Sequence, residues 1–528
     1  MTRLALALAE QLPDQRILFA SGGNAERILA AAQASGKQST PSTPKARVEF
    51  FPTFNDIDPK FQRRMNTFAQ TQRPSATASL IPDLLTDLMF GDAAYFQPYE
   101  RLLALLKAEG RPDYMICDWT TNAGLDLAIS FDIPFTILAP GGFRFLLLNL
   151  APFERRVGLG GPVHPTFLGS LHQLFYRCQV IWAIARSAAY KQLVRRRRAH
   201  PHIHFDSFRP EDYGVRARSI IAPGVFGFEQ PIAAPANLAL IGAFIHPKRS
   251  DPVAAAAATM PEAASTASLS GVMSPPRTPP SQVRFRPQGS RPRIYVNLGT
   301  IYQILPDRRD VLLRALGQVD ADVRWKLARD LWPKDMDAVP ANVTLVPWVE
   351  DPLAELEDCA VFVSHGGGNS AAEALWTGAV MLCIPAWLDC VNMCSRIDEV
   401  GTGLTLSDPP FFTEDEIVSK LYRLLNEPLF KAKAMFFRQR AQAAGGIPAA
   451  VAHLRRQIDE EAHLQRLLQV AATAARKAGV PEAAQRHELL RLTSYWPQVS
   501  DPNAAAWACV KFGLLYASVT CLRHLVGL

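Results

Sequence analysis

At 528 residues, 48% of them hydrophobic and 20% charged, the chain has an ordinary globular composition and the length of about two to four domains. Its net charge of +7 is modest for that size. It permits an anionic substrate or a membrane surface and gives no ground for a nucleic-acid partner. The eight cysteines (Cys117, Cys178, Cys359, Cys383, Cys390, Cys394, Cys509 and Cys521) are scattered without CxxC spacing, which speaks for free thiols and against a disulfide or zinc framework.

The opening, MTRLALALAEQL, has an amphipathic helical pattern with an acidic residue inside it, unlike a signal peptide. RILFAS (16–21) predicts a strand, followed by a Gly-Gly turn and the helix NAERILAAAQAS. DYMICDW (113–119) and IPFTILAP (133–140) predict strands on either side of the helix NAGLDLAISFD. This alternation implies a parallel sheet with helices on its faces.

Residues 147–215 hold aromatic helical segments and then Arg195–Arg198, expected as a solvated helix end, with a phosphate or lipid-headgroup patch as the alternative. His200, His202 and His204 alternate around Pro201 and predict a surface loop rather than a metal site. RSIIAP and NLALIGAF (237–244) resume the strands. Residues 246–290, rich in Pro, Ala, Ser and Thr, bury too little apolar surface to offset ordering entropy and predict a disordered linker.

A second α/β half follows, with predicted strands RIYVNLGT (293–300), VRWKLA, VTLVPW (343–348), AVFVS (360–364) and VMLCIP (380–385), and helices to the end. The last segment, 504–528, is apolar but carries Lys511, Arg523 and His524. Three readings stand for it: a membrane-surface helix, a marginal anchor, or a helix packed on the protein itself.

The chemistry concentrates in VFVSHGGGNSAAEAL (361–375). His365 closes a buried strand, where open α/β sheets bind ligands. Gly366, Gly367 and Gly368 let backbone N–H groups approach closely, and the helix beginning near Asn369–Ser370 turns its positive end into the same space. That suits a phosphate or diphosphate. Ser370-Ala-Ala-Glu373 is equally a capping box, and Thr377-Gly378 a glycine helix stop.

Residues 343–404 resemble the nucleotide-sugar signature of the UDP-glycosyltransferases, the family 1 enzymes of GT-B fold. The matching positions are Trp348, His365, Gly367, Asn369, Ser370, Glu373, Pro385, Asp389, Asn392, Gly401 and Gly403. The resemblance implies two Rossmann-like domains facing each other: an acceptor domain over 1–245, a UDP-sugar domain over 291–450 after the 246–290 insert, and tail helices over 451–528. It implies that Trp348 stacks on uracil while the Val349 backbone bonds its edge, and that Glu373 accepts from the ribose hydroxyls. His365, Gly367, Asn369, Ser370 and Thr300 would hold the diphosphate, and Asp389 the donor sugar. The expected reaction moves a sugar, a hexose by analogy, from a UDP-sugar to a hydroxyl of a lipophilic small-molecule acceptor, with inversion. No cofactor or metal is expected beyond the donor itself, because the elbow supplies leaving-group stabilisation. Location is expected at a membrane through the last helix, or in the cytoplasm.

Two positions depart from the family pattern: Asp351 stands where it has Gln, and Cys390 where Gln follows the acidic residue. The family's base is a histidine near the amino terminus, oriented by an aspartate; Asp118 occupies the aspartate's place, yet no histidine precedes His164. Asp118 also reads as a polar strand-end cap. The opening matches the family's first helix and second strand, so the central first strand and its loop are expected to be lacking, by truncation or in a pseudoenzyme. The alternative function is therefore a UDP-sugar-binding protein without transfer, such as a membrane-associated regulatory subunit.

Overall fold

The computed structural model describes residues 2–22, 26, 29–30, 48–54, 59–71, 90–140, 167–203, 210–229, 236–246, 291–299, 302–386 and 388–477. Most of the helix expected after the Gly-Gly turn, nearly all of the expected linker, His204, Thr300 and the apolar tail lie outside these residues. One compact unit, Met1–Arg455, contains two α/β halves.

The first half runs α1 (Thr2–Gln11), β1 (Ile17–Gly22), β2 (Val48–Phe54), α2 (Pro59–Thr71), a π-helical turn (Asp92–Phe96), α3 (Gln97–Glu109), β3 (Met115–Asp118), α4 (Asn122–Ser130), β4 (Phe135–Leu138), α5 (Phe167–Arg186), α6 (Ala188–Arg198), α7 (Pro210–Gly214), β5 (Ser219–Ala222) and β6 (Leu238–Leu240). Its strands pair in parallel but in two pieces, β1-β2 and β3-β4-β5-β6. Among the described residues β1 and β3 share no ladder. Helix α1 bridges the break, because Leu4 and Leu8 pack in one cluster with Ile17 of β1 and with Ile116, Leu138 and Ile221 of the other sheet. Arg16 adds ion pairs to Glu49 (2.9 Å) and Glu109 (2.6 Å).

The arginine run corrects its reading as a solvated end. Arg195, Arg196 and Arg198 are exposed, but Arg197 falls one turn after the buried Leu193 and points inward at 1% exposure. Its Nη2 lies 2.5 Å from Asp126 Oδ2, and Tyr213 donates to Asp126 Oδ1 at 2.8 Å. Tyr95 Oη also donates to Asp126. A buried guanidinium persists only with partners of this kind. His200 bonds Glu100 at 2.8 Å, a partner one hundred positions away, and no cluster of metal-ligating side chains occurs among the described residues.

The second half runs β7 (Arg293–Asn297), α8 (Pro306–Gly317), β8 (Asp322–Lys326), β9 (Val343–Val346), α9 (Pro352–Asp358), β10 (Val361–Ser364), α10 (Gly368–Thr377), β11 (Val380–Cys383), α11 (Leu388–Val400), β12 (Gly403–Thr405), α12 (Glu414–Asn426) and α13 (Pro428–Ala443). Its six strands form one parallel sheet ordered β12-β11-β10-β7-β8-β9. β10 and β11 are buried at every residue, the reason they read as unbroken apolar runs. Since all strands run the same way, their carboxyl ends share one edge.

Side chains from one half clamp the other. From α2, Asn66 Oδ1 accepts from Gln303 N (2.8 Å), and Gln70 bonds both Gln303 O (2.7 Å) and Leu305 N (2.5 Å). From α11, Arg396 donates to the carbonyls of Gly227 (3.0 Å) and Glu229 (3.3 Å). The long helix α14 (Gly446–Lys477) begins against the first half, with Gly446 N on Ile241 O and Ile447 N on Ile245 O, both at 2.9 Å. Ile447, Val451 and Leu454 join the α1 cluster. A second unit starts at Arg456; its described residues continue α14, where Gln465 donates to Glu461 at 2.9 Å. Among the described residues no helix is long and apolar enough to cross a membrane.

Candidate functional site

The shared edge of the six-stranded sheet gathers most of the residues singled out in the sequence. β10 ends at Ser364, and His365-Gly366-Gly367 turn the chain into α10. Gly366 has φ +78°, and a side chain there would strike Cys394 Sγ, so the turn needs glycine on both counts. Gly299, after β7, approaches from the neighbouring strand. A methyl group on it would lie 2.7 Å from His365 Cε1, and one on Gly367 would lie 2.6 Å from His365 Nε2. The imidazole thus fills the slot between two bare backbones.

Burial pushes His365 down to about 4, so the ring is neutral at physiological pH. Its Nδ1 is buried and has no hydrogen-bond partner. A neutral imidazole with an unsatisfied nitrogen, beside a helix start, is equipped to bond a ligand oxygen.

The helix start resolves the two readings of Ser370-Ala-Ala-Glu373. α10 begins at Gly368 with Gly367 as its cap, and no side chain caps it. Ser370 sits inside the first turn, so the expected capping box is not formed; a glycine at the cap moves the whole start one to two residues earlier. The first-turn N–H groups therefore project with the helix dipole toward the sheet edge. Gly378 closes the helix in the left-handed conformation at φ +70°, as Thr377-Gly378 predicts.

Glu373 is one turn further along α10 than Asn369, on the same face. Burial pushes its carboxyl up to about 7, with Arg3 of α1 pulling it slightly back. Asp389 opens α11, and burial pushes it up to about 6. Val349 is buried, whereas Trp348 is 65% exposed and offers an open indole surface. Thr300 lies outside the described residues.

One contributor was missed in the sequence. Lys326 closes β8, with Nζ 5.4 Å from the Trp348 ring centre and 3.5 Å from Gly299 O. Burial pushes its ammonium down. A lysine ending the run VRWK at the carboxyl end of a strand was the available signal. Asp118 lies apart, at the end of β3 in the first half. Its Oδ1 accepts from Thr120 N (2.9 Å) and Thr120 Oγ1 (2.6 Å). Burial pushes this carboxyl up while the Thr120 bonds pull it back.

The arrangement matches known proteins. Residues 310–457 match the family described as the erythromycin biosynthesis protein CIII-like C-terminal domain. The glycosyltransferase of kitacinnamycin superposes over 87% of this chain and 95% of its own, with a TM-score of 0.56 at 18% identity. CalG4, the calicheamicin glycosyltransferase, superposes equally well (0.56), at 16% identity over 87% and 94%. Residues 310–457 thus carry an erythromycin biosynthesis protein CIII-like carboxyl-terminal domain, and the fold is GT-B.

Among curated relatives, the NDP-glycosyltransferase YjiC of Bacillus subtilis (strain 168) is 28% identical over 170 residues, 31% of this chain and 41% of that protein. The zeaxanthin glucosyltransferase of Pseudescherichia vulneris is 28% identical over 174 residues, 33% of this chain and 41% of that protein. Erythritol-mannosyl-transferase 1 of Pseudozyma antarctica (strain T-34) is 33% identical over 113 residues, 20% and 18%. The matched stretch thus spans about two fifths of such relatives at most. On the GT-B frame, the edge that carries His365, Glu373 and Trp348 belongs to the carboxyl-terminal domain.

Proposed function

We propose that the chain is a nucleotide-sugar-dependent glycosyltransferase that moves a hexose from a UDP-sugar to a hydroxyl of a lipophilic small molecule, with inversion. The observation that carries this reading is the uncapped start of α10 behind a half-buried, neutral His365 whose buried Nδ1 lacks a partner. The relatives support the reaction class, and two of them bear names with lipophilic or polyol acceptors.

In this reading the diphosphate rests on the N–H groups of Gly367, Gly368 and Asn369, with His365 bonding one oxygen and Ser370 another. Glu373 accepts from the ribose hydroxyls, Trp348 stacks on the base, and Asp389 meets the sugar. As the bond to the anomeric carbon breaks, negative charge grows on the leaving diphosphate, and the fixed dipole of α10 stabilises it without reorganising. Thr300 is assigned to the same diphosphate on the resemblance alone. Asp118 is assigned the orienting of the group that takes the acceptor's proton.

The second reading, UDP-sugar binding without transfer, is favoured by the two bonds that Thr120 gives Asp118 within its own turn, as a strand-end cap makes. Calorimetry of the full chain with UDP and with UDP-glucose, followed by an assay of UDP release with hydroxylated lipophilic acceptors, separates the readings. Binding with release supports the enzyme; binding without release over a panel of donors and acceptors supports the binder; no heat with either ligand overturns both.

A further inference from the structure

Helix α5 is amphipathic in the wrong direction for a solvated helix. Phe167 (78%), Leu168 (75%), Phe175 (62%) and Trp182 (62%) are exposed, with Leu171 and Leu174 about half so. At roughly 100° per residue these positions, with Ile181, span an arc of about 140°, a continuous stripe. Tyr176, on the opposite side of the helix, is buried at 3%. The side facing the protein is therefore satisfied, and the apolar stripe faces outward. Scattered apolar side chains are normal on a surface, but a contiguous stripe of this length marks an interaction site.

Charge identifies the partner. Residues 167–198 contain no Asp or Glu and seven Lys or Arg: Arg177, Arg186, Lys191 and Arg195–Arg198. Within the protein Asp126 answers Arg197 and Asp92 answers Arg196 at 2.5 Å, so the cations that count toward a partner are Arg186, Lys191 and Arg195. Arg186 lies over the Trp182 ring at 4.5 Å, placing a cation beside an aromatic ring at the carboxyl end of the stripe. An apolar stripe on a helix whose own charges are all cationic, with Trp and Arg at its border, has the chemistry of a helix lying in the headgroup region of an anionic bilayer. A protein partner would require apolar and acidic surface together; a bilayer of anionic lipid supplies both everywhere.

We propose that α5 and α6 form a peripheral docking surface for anionic membranes, the stripe entering the headgroup–acyl boundary and Arg186, Lys191 and Arg195 pairing with lipid phosphates. This does not depend on the donor site or on catalysis. The full chain is mixed with phosphatidylglycerol vesicles and, separately, phosphatidylcholine vesicles, and bound protein is measured by sedimentation across a salt series. Binding to the anionic vesicles is expected, weaker at high salt and on neutral vesicles. Phe175→Asp with Trp182→Asp should reduce it more than about tenfold, and Arg195→Glu by at least about fivefold. These side chains are exposed, so the variants should melt as the wild type does. The proposal is overturned by no sedimentation with either lipid, or by equal sedimentation of wild type and variants, which would put any binding elsewhere, such as in the tail at 504–528. It is also overturned if the variants melt lower, which would mean that the chain itself covers α5, or if they only abolish self-association or oligonucleotide binding.

Discussion

Replacing Glu373 by Gln tests the donor site most sharply, because one carboxyl couples folding, pH and ligand. Burial holds this group near 7, against an ordinary value of 4.5. A raised acid favours its protonated form in the folded state. The folded protein is therefore at its most stable, as far as this group is concerned, at and below pH 4.5, and loses that stability as pH climbs through 7. The shift corresponds to about 3 kcal/mol between those limits. Ribose hydroxyls donating to the carboxylate offset that cost, so UDP should bind the ionised form better. Calorimetry should show affinity rising between pH 6 and pH 8, with proton release on binding at the lower pH. The Gln variant should lose the part of the pH dependence centred near 7 and, at pH 8, bind about 30-fold more weakly, the loss of roughly 2 kcal/mol of charge-assisted hydrogen bonding. Its folding stability should also stop falling across the interval. If wild-type affinity is flat from pH 6 to pH 8 and the Gln variant matches it, Glu373 does not meet the ribose and the reasoning fails.

Other expectations follow from the same geometry. Gly367→Ala places a methyl group 2.6 Å from His365 Nε2, and should reduce UDP affinity at least about tenfold while shifting the melting temperature little; the opposite pattern would make the slot purely structural. Trp348→Ala, at a 65% exposed ring, should leave the melting curve unchanged and cost about 1–3 kcal/mol of nucleotide binding, read by titration; unaltered affinity would remove the base from that ring. Arg197→Ala strands the buried Asp126 carboxylate and should cost about 3–5 kcal/mol in a urea titration. Arg197→Met with Asp126→Leu should recover much of that loss, and a failure to recover would mean that the network does more than satisfy itself.

The carboxyl-terminal half was legible because its strands are fully buried. Val361–Ser364 and Val380–Cys383 have no solvent face to disguise them, so each stands as an apolar run before a turn. The glycine elbow was legible as chemistry but not as geometry. Ser370 and Glu373 have capping-box spacing, and only the placement of Gly367 at the cap shows that the box goes unused. In the first half β2 escaped notice because Pro52 argues against a strand, and it is tolerated because β2 has a ladder on one side only among the described residues. Arg197 was misjudged because its partner is 71 positions away. The α2 clamp, from Asn66 and Gln70 onto Gln303 and Leu305, spans more than 230 positions and leaves no local trace.

The divided sheet of the first half bears on how the molecule comes apart. In the second half each inner strand is stitched along both flanks, and its opening must break two ladders at once. Among the described residues β1 and β3 are stitched along one flank, and the pieces are held in line by the grease of α1, the reach of Arg16 and the bond from Arg101 of α3 to Thr53 O of β2 (3.4 Å). Cooperative melting of the whole is then not to be expected: amides of β1 and β2 should exchange with solvent long before those of β7 and β10, and a single transition temperature will describe only the sturdier half.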